Sequence, residues 1–376
     1  MTSSVAFVVA PYGFGPLSKA LAVSSYLPRD IDRVFIGIGA SFDEAKRIDE
    51  FTACVPLDFT SSPTDVQELL AGFDCLLFIN TTRFIRAASA ASRPTMLLET
   101  LAWLRRSKPD CSHLLTAYFA QKFMDVAFID ALEKMEQFCP VGAIIPRQPL
   151  DGLRTRSQNR EKRSPILHCG GLYSTEMVPG ADNAYVSKAL QLARSLDCRI
   201  SIILPKYLHN KFKKEFSANM ELIECSPLTV GDHLDQSTFA LSTTGIEFTY
   251  ECMNLGIPVG FLPPFNASQV HQMSEHQRIC PESILFNSCG QPQGDAFELL
   301  HASTAAVQRE GMRGLWAAQF RELHETVRDL HAYSSGGAFR SIGMSQSAQS
   351  KRMRFDGAKV VSDAILSALD LGVGHD

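Results

Sequence analysis

No charge of one sign dominates this 376-residue chain, in which 36 Lys and Arg stand against 40 Asp and Glu for a formal net charge of −4. That balance argues against a protein that grips nucleic acid through a basic face. The one strongly basic run, Arg154–Arg163, lies in a polar stretch that reads as a solvated connector. No apolar run approaches the ~18 residues of a membrane span. The phenylalanine-rich stretch Tyr118–Phe138 is interrupted by Lys122, Asp125, Asp130, Glu133, Lys134 and Glu136, which predicts a core-facing helix. There are ten cysteines but no Cys-x-x-Cys pair, and most sit in apolar segments, where a thiol behaves as a small hydrophobe. With no recognisable secretory leader, a reducing cytoplasm is the expected setting. A GxxxxGK[ST] loop is missing and GxGxxG is only half met at Gly13–Gly15, which disfavours an NTPase or a nicotinamide enzyme. No HExxH or HxxxH pair occurs, so no metal site is expected.

What is present is the composition of a globular protein, 45% hydrophobic and 20% charged, and a length that calls for two domains of about 150–200 residues. The chain opens with the apolar run Val5–Ala10, a turn Pro11-Tyr12-Gly13-Phe14-Gly15-Pro16, and a segment carrying Leu17, Ala20, Leu21 and Leu27 at helical spacing. Strand-like Val34–Ile38, Cys54–Leu57 and Cys75–Ile79 then alternate with helical Phe42–Ile48, Asp65–Leu70 and Thr82–Ala91, and Thr95–Leu98 is expected to close the series. Residues 147–164 are polar, charged and almost free of large apolar side chains, which marks a linker. Beyond it the alternation resumes with Ile166–Cys169, Asn183–Leu196, Arg199–Leu204, Tyr207–Phe216, Glu221–Glu224, Phe239–Ser242, Glu247–Leu255 and Val259–Leu262. Helices around Ala296–Gln308, Met312–Leu330 and Phe355–Leu369 finish the chain. The fold class expected is α/β, with two Rossmann-like domains facing across a cleft. An amino-terminal domain spans 1–146, a linker 147–164, a second domain 165–350, and a terminal helix in 351–376 crosses back to the first domain. Ligands of such sheets bind beyond the carboxyl ends of the strands.

The segment richest in chemistry runs from Thr243 to Gln272. Gly245 and Ile246 follow a strand and open a helix, so their amides lie where a helix amino terminus favours an anion such as a diphosphate. Glu251 is six residues further, almost two turns along, and a carboxylate there can accept from two vicinal ribose hydroxyls. Pro263-Pro264-Phe265-Asn266-Ala267-Ser268-Gln269-Val270-His271-Gln272 then supplies amides able to bond sugar hydroxyls. Gly170-Gly171, after the strand that opens the second domain, forms a second glycine turn, and His168 before it reads as a packed strand histidine.

These residues resemble the nucleotide-sugar segment of GT-B glycosyltransferases, most of all family 28, whose type enzyme adds N-acetylglucosamine to make lipid II. That family shows a glycine, a glutamate six residues on, a small residue with Gly-x-Pro, an apolar strand ending in proline, and paired glutamines. In this sequence the pattern falls on Gly245, Glu251, Gly256, Pro258, Pro264, and His271 with Gln272. The resemblance implies that Glu251 holds the ribose of a UDP-sugar, Gln272 the sugar hydroxyls, and the Gly170-Gly171 amides the diphosphate. It places the uracil against backbone groups of Ser226-Pro227-Leu228. His271 replaces the first glutamine, which leaves the donor sugar open. The amino-terminal loop Tyr12-Gly13-Phe14-Gly15 resembles the family's G-x-G-H loop, but Pro16 stands where a histidine proposed as catalytic base is common.

With that histidine gone, Glu99 at the end of strand Thr95–Leu98 is the candidate base, or else a residue favoured by a helix amino terminus. Trp103, Tyr118 and Gln121 are candidates to shape an acceptor pocket, and His113 and Asp43 are weaker alternatives for the base. The function implied is a metal-independent, inverting transfer from a UDP-sugar to a small soluble acceptor such as a natural product or a nucleobase. No cofactor is expected beyond the UDP-sugar itself, which enters as substrate; a homodimer is one expected association. The alternatives are a UDP-sugar hydrolase or 2-epimerase on the same fold, and a partner subunit that binds donor without chemistry.

Overall fold

The computed structural model describes residues 2–11, 14–58, 60–102, 105, 107–122, 129–146, 164–170, 172, 181–196, 198–265, 267–280, 319, 320, 323, 346 and 354–372. The chain divides into two units, 1–147 with 354–376, and 148–353.

The first unit holds seven strands, β1 (Ser4–Val9), β2 (Asp32–Gly37), β3 (Ala53–Pro56), β4 (Cys75–Ile79), β5 (Thr95–Glu99), β6 (Ala117–Gln121) and β7 (Phe138–Val141). All neighbours pair in parallel, in the order β3-β2-β1-β4-β5-β6-β7. The direction of winding therefore reverses between β1 and β4, the switch point at which doubly wound sheets bind ligands. The connecting helices are α1 (Gly15–Ser24), α2 (Gly39–Ala45), α3 (Pro63–Ala71), α4 (Ile85–Ala90) and α5 (Ile129–Leu132). Helix α3 shows why such helices start where they do: Ser62 caps the Asp65 amide, Pro63 presets the first turn, and Asp65 complements the dipole. Val66, Leu70, Ile85, Ala88 and Leu132 of α3, α4 and α5 pack on Val8, Ile36, Phe78, Leu97 and Tyr118 of one sheet face. Each large apolar side chain so buried contributes about 1.5–3 kcal/mol.

The stretch Tyr118–Phe138, expected to be one helix, instead contains β6, the single turn α5 and β7, so Thr95–Leu98 does not close the sheet. Its charged residues lie between the two strands. Pro140 is tolerated because β7 is the edge strand and has only β6 as a partner.

The second unit repeats the plan with five parallel strands, β8 (Ser164–His168), β9 (Ile200–Ile203), β10 (Met220–Ile223), β11 (Ser237–Ser242) and β12 (Val259–Phe261), ordered β10-β9-β8-β11-β12. Its switch point falls between β8 and β11. Helices α6 (Ala181–Arg194), α7 (Lys206–Phe212), α8 (Val230–Asp235), α9 (Ile246–Leu255) and α10 (Ala267–Ile279) surround a core that includes Tyr185, Leu190, Phe212, Leu234, Phe248, Phe261 and Met273. Of the helices expected between Ala296 and Leu330, only Gln319, Phe320 and Leu323 fall among the described residues, and all three are helical.

The last described helix, α11 (Gly357–Gly372), belongs to the first unit and packs on α1 and β4. It is anchored where the chain passes the end of β7: Ala143 N donates to Arg354 O at 2.7 Å, and Gly357 N to Ala143 O at 3.1 Å. A Cβ on Gly142 would meet the Arg354 carbonyl carbon at 2.8 Å and its oxygen closer still, so the two segments cross at glycine. Among the described residues no helix is long and apolar enough to cross a membrane.

Candidate functional site

Gly170, Gly245 and Ile246 lie just beyond the carboxyl ends of β8 and β11, at the switch point. Gly245 is the N-cap of α9 in extended conformation, φ −144 and ψ 149, with no side chain capping the helix. Among the described residues, a Cβ there would meet nothing nearer than Thr243 O at 3.9 Å. Ile246 begins the helix and is buried. The turn after β8 is drawn against this helix start, because Thr243 Oγ1 donates to Gly170 O at 2.5 Å and Thr243 N to His168 O at 3.1 Å. Two loops 73 residues apart in sequence thus present their backbones side by side. Gly171 lies outside the described residues. Thr244, fully buried one residue before the N-cap, has a hydroxyl oxygen with no hydrogen-bond partner.

Glu251 sits two turns into α9 and is buried. Burial pushes the Cys225 thiol up to about 11, and the Glu251 carboxylate nearby adds to the rise. That coupling puts Glu251 near Cys225, which lies in the loop that follows β10. The loop is a tight turn in which Ser226 O accepts from the amides of Thr229 at 3.0 Å and Val230 at 3.2 Å, and Leu228 is half-buried within it. A buried carboxylate near such a loop suits a ribose with a planar base beside it.

The run after β12 is held by its aromatic neighbours. Tyr185 donates to Pro263 O at 2.5 Å and its ring meets Phe265 edge-on at 5.3 Å. Phe265 N donates to Gln269 Oε1 at 2.7 Å, so Gln269 serves as a cap. Gln272 is buried on the same helix, α10, and its Oε1 has no partner among the described residues. The backbone of His271 belongs to α10; its side chain lies outside the described residues.

In the first unit, Tyr12, Gly13 and Trp103 lie outside the described residues. Phe14 is the N-cap of α1, Gly15 is exposed with open space around it, and Pro16 occupies the first turn. Glu99 is the last residue of β5 and only 3% exposed. One of its oxygens accepts from Arg105 and the other from Tyr118, whose phenol is pushed well above its usual range by burial and by that carboxylate. The arrangement is an anchored carboxylate between a guanidinium and a phenol, and both partners lie outside any motif. Gln121 ends the next strand, is 2% exposed, and neither atom of its amide has a partner among the described residues. Asn80, in the left-handed region at φ 53, ties the end of β4 to β5 by accepting from Thr100 N at 2.8 Å. Asp43 pairs with Lys46 on the surface, and His113 is exposed before β6.

No protein-family model matches the chain, and no curated protein matches it in sequence. Solved structures do match over almost its whole length. A UGT transferase from Siraitia grosvenorii in complex with UDP superposes with a TM-score of 0.53 at 13% identity, covering 99% of this chain and 100% of that one. MurG from Acinetobacter baumannii gives 0.51 at 12% identity, with 97% and 99% covered. The fold is that of GT-B enzymes. A putative UDP-N-acetylglucosamine 2-epimerase from Listeria monocytogenes is as similar, 0.51 at 14% identity over 100% and 98%. At such identities the likeness concerns the GT-B fold and leaves the reaction to be argued from the site.

The sequence pointed to Gly170, Gly245, Ile246, Leu228, Glu251 and Gln272; Gly170, Leu228, Gly245 and Ile246 follow the carboxyl ends of β8, β10 and β11, while Glu251 and Gln272 lie within α9 and α10. It included Thr243 and Thr244 at the head of the segment from Thr243 to Gln272 without giving either a role, and it did not point to Arg105. Only the polar Ser-Thr-Thr run at a strand end could have signalled a role for the first two.

Proposed function

We propose that the protein is a GT-B glycosyltransferase that takes a sugar from UDP and passes it to a small acceptor. The observation that carries this reading is the Thr243–Gly170 bond, which sets a glycine turn beside the amino terminus of α9 at the switch point. Amides and helix dipole there suit a diphosphate. Glu251 suits the ribose, the Ser226–Thr229 loop the uracil, and Gln272 the sugar hydroxyls. Gly171 and His271 are assigned to the same donor, and Tyr12, Gly13, Phe14 and Gly15 to the side that meets the acceptor.

In the proposed step an acceptor oxygen or nitrogen attacks the anomeric carbon while the bond from that carbon to the β-phosphate oxygen breaks. UDP leaves with the electron pair, and its new charge is met by fixed backbone dipoles rather than by water. Attack opposite the leaving group inverts the centre, and no metal is required. Glu99 is assigned to the acceptor's proton, which it takes by releasing the bond from Tyr118. Exclusion of water matters because water is the competing nucleophile.

Calorimetric titration with UDP and with UMP tests the donor half, and absence of binding to either refutes it. Release of UDP from a panel of UDP-sugars, with and without candidate acceptors, tests the transfer. The 2-epimerase on the same fold favours a second reading, and UDP release or sugar isomerisation without any acceptor would replace transfer by hydrolysis or epimerisation.

A further inference from the structure

His168 closes β8 one residue before the strand gives way to the Gly170 turn, and three separate pieces of the second unit rest on its ring. The first is α9: the imidazole lies flat on Phe248, with centroids 3.8 Å apart and planes inclined by 7°. The second is the end of β11, where Nδ1 is 2.9 Å from Ser242 Oγ. The third is the Gly170 turn, which passes so near that a Cβ on Gly170 would lie 2.5 Å from Nε2 and nearer still to Cε1.

The hydrogen-bond chain also fixes the tautomer. Ser242 Oγ is 2.8 Å from Thr243 O, and a carbonyl only accepts, so the single hydroxyl proton goes there. Nδ1 of His168 is therefore the donor to Ser242, and Nε2 bears the lone pair. Burial lowers the pKa of His168 to about 3, which keeps this neutral form throughout the physiological range. The ring is a fixed spacer whose shape, polarity and orientation do not change with pH near 7.

We propose that His168 is a positioning residue that sets the separation between the Gly170 turn and the amino terminus of α9, and through it the preference for a nucleoside diphosphate over a monophosphate. The inference rests on the donor reading above. A monophosphate reaches one of the two backbone surfaces; a diphosphate spans both, and only the latter senses their spacing.

Three variants separate the contributions. His168→Phe keeps the stack and loses the donor, His168→Asn keeps a donor and loses the stack, and His168→Ala loses both. Dissociation constants for UDP, UMP and uridine are measured by calorimetry, with Tm alongside. The expected result is that His168→Ala weakens UDP about tenfold, the worth of one good hydrogen bond or stack. UMP and uridine stay within about twofold, so that the UDP-to-UMP ratio falls, and His168→Asn and His168→Phe recover part of it. A merely structural role lowers Tm and weakens all three ligands together, which overturns the inference. If His168→Ala does not fold, the same ratio is read from His168→Phe, whose ring fills the site. Wild-type protein that binds neither UDP nor UMP overturns the donor reading and this inference with it. A ratio unchanged in the variants overturns this inference alone.

Discussion

Gly170→Ala is the sharpest structural test of the donor site. The added methyl would stand 2.5 Å from His168 Nε2, a distance that real Cβ contacts do not show, so either the turn or the ring has to move. The ring is not the loose end of a flexible side chain, since Phe248 holds its face and Ser242 its Nδ1. Swinging it away forfeits a stack worth about 0.5–1.5 kcal/mol and a hydrogen bond worth about 0.5–1.5 kcal/mol. Moving the turn instead strains the Thr243–Gly170 bond. Either route gives a destabilisation of about 1–3 kcal/mol, in line with overpacking elsewhere. For a unit spanning 148–353 that corresponds to a Tm lowered by about 2–12 °C, read by calorimetry, with UDP affinity reduced in parallel. The double variant His168→Ala/Gly170→Ala relieves the overlap, so its loss is smaller than the sum of the singles. A Gly170→Ala protein with wild-type Tm and UDP affinity would refute the packing described for this turn.

Four further outcomes are expected. Glu251→Ala weakens UDP binding by about 1.5–3 kcal/mol, roughly 10- to 150-fold, since charged hydrogen bonds are lost; unchanged affinity in calorimetry removes the ribose assignment. Glu247→Gln takes a negative charge out of the first turn of α9 and strengthens UDP binding by up to about fivefold at low salt, an effect that fades as salt is raised; weaker binding contradicts the placement of the diphosphate. Arg105→Met leaves Glu99 buried without its cation and costs up to about 3 kcal/mol in urea unfolding, moderated by the partial exposure of Arg105, whereas Arg105→Met/Glu99→Gln regains part of the loss. His168 and His276 titrate near 3 when folded because burial lowers them from 6.5, so the stability they contribute is complete above about pH 6.5 and is lost as pH falls toward 3; at pH 5 the loss is at most about 2 kcal/mol for each, and His168→Phe flattens its share of the pH profile.

The sheets were readable where apolar strands alternate with amphipathic helices. The runs around Val5–Ala10, Val34–Ile38, Cys75–Ile79 and Phe239–Ser242 are all strands within a residue or two of their expected limits. β6 and β7 were not readable. Phe119 and Phe123 stand one helical turn apart with charged residues interspersed around them, and β7 contains a proline that argues against a strand. Only the pairing of Tyr118 with Leu97 and with Phe138 settles β6 and β7 as sheet, and pairing partners 20 residues away leave no trace in a local pattern. α10 was not expected: the stretch from Pro263 to Gln272 stood out only as a supply of amide side chains, and its polar composition carries no apolar helical stripe.

The two sites differ in legibility because they differ in how local their chemistry is. A diphosphate beside a ribose asks for a helix amino terminus and a carboxylate two turns along, and both lie inside Gly245–Glu251, where helix geometry alone fixes their relation. The scaffold that aims them is not local, since His168 and Ser242 are 74 residues apart and Thr243 and Gly170 are 73. Glu99 illustrates the opposite case. Its place at a strand end was evident, but what it can do depends on Arg105 and Tyr118, one on a loop and one on a strand that the sequence did not reveal. Each carboxylate oxygen keeps a second lone pair, but the bonds from Arg105 and Tyr118 fix the direction in which it faces, so the competence of Glu99 as a base is set by how readily Tyr118 lets go. Tyr118→Phe is therefore expected to raise the rate of transfer at low acceptor concentration if Glu99 is the base, and to leave it unchanged if the base is another group.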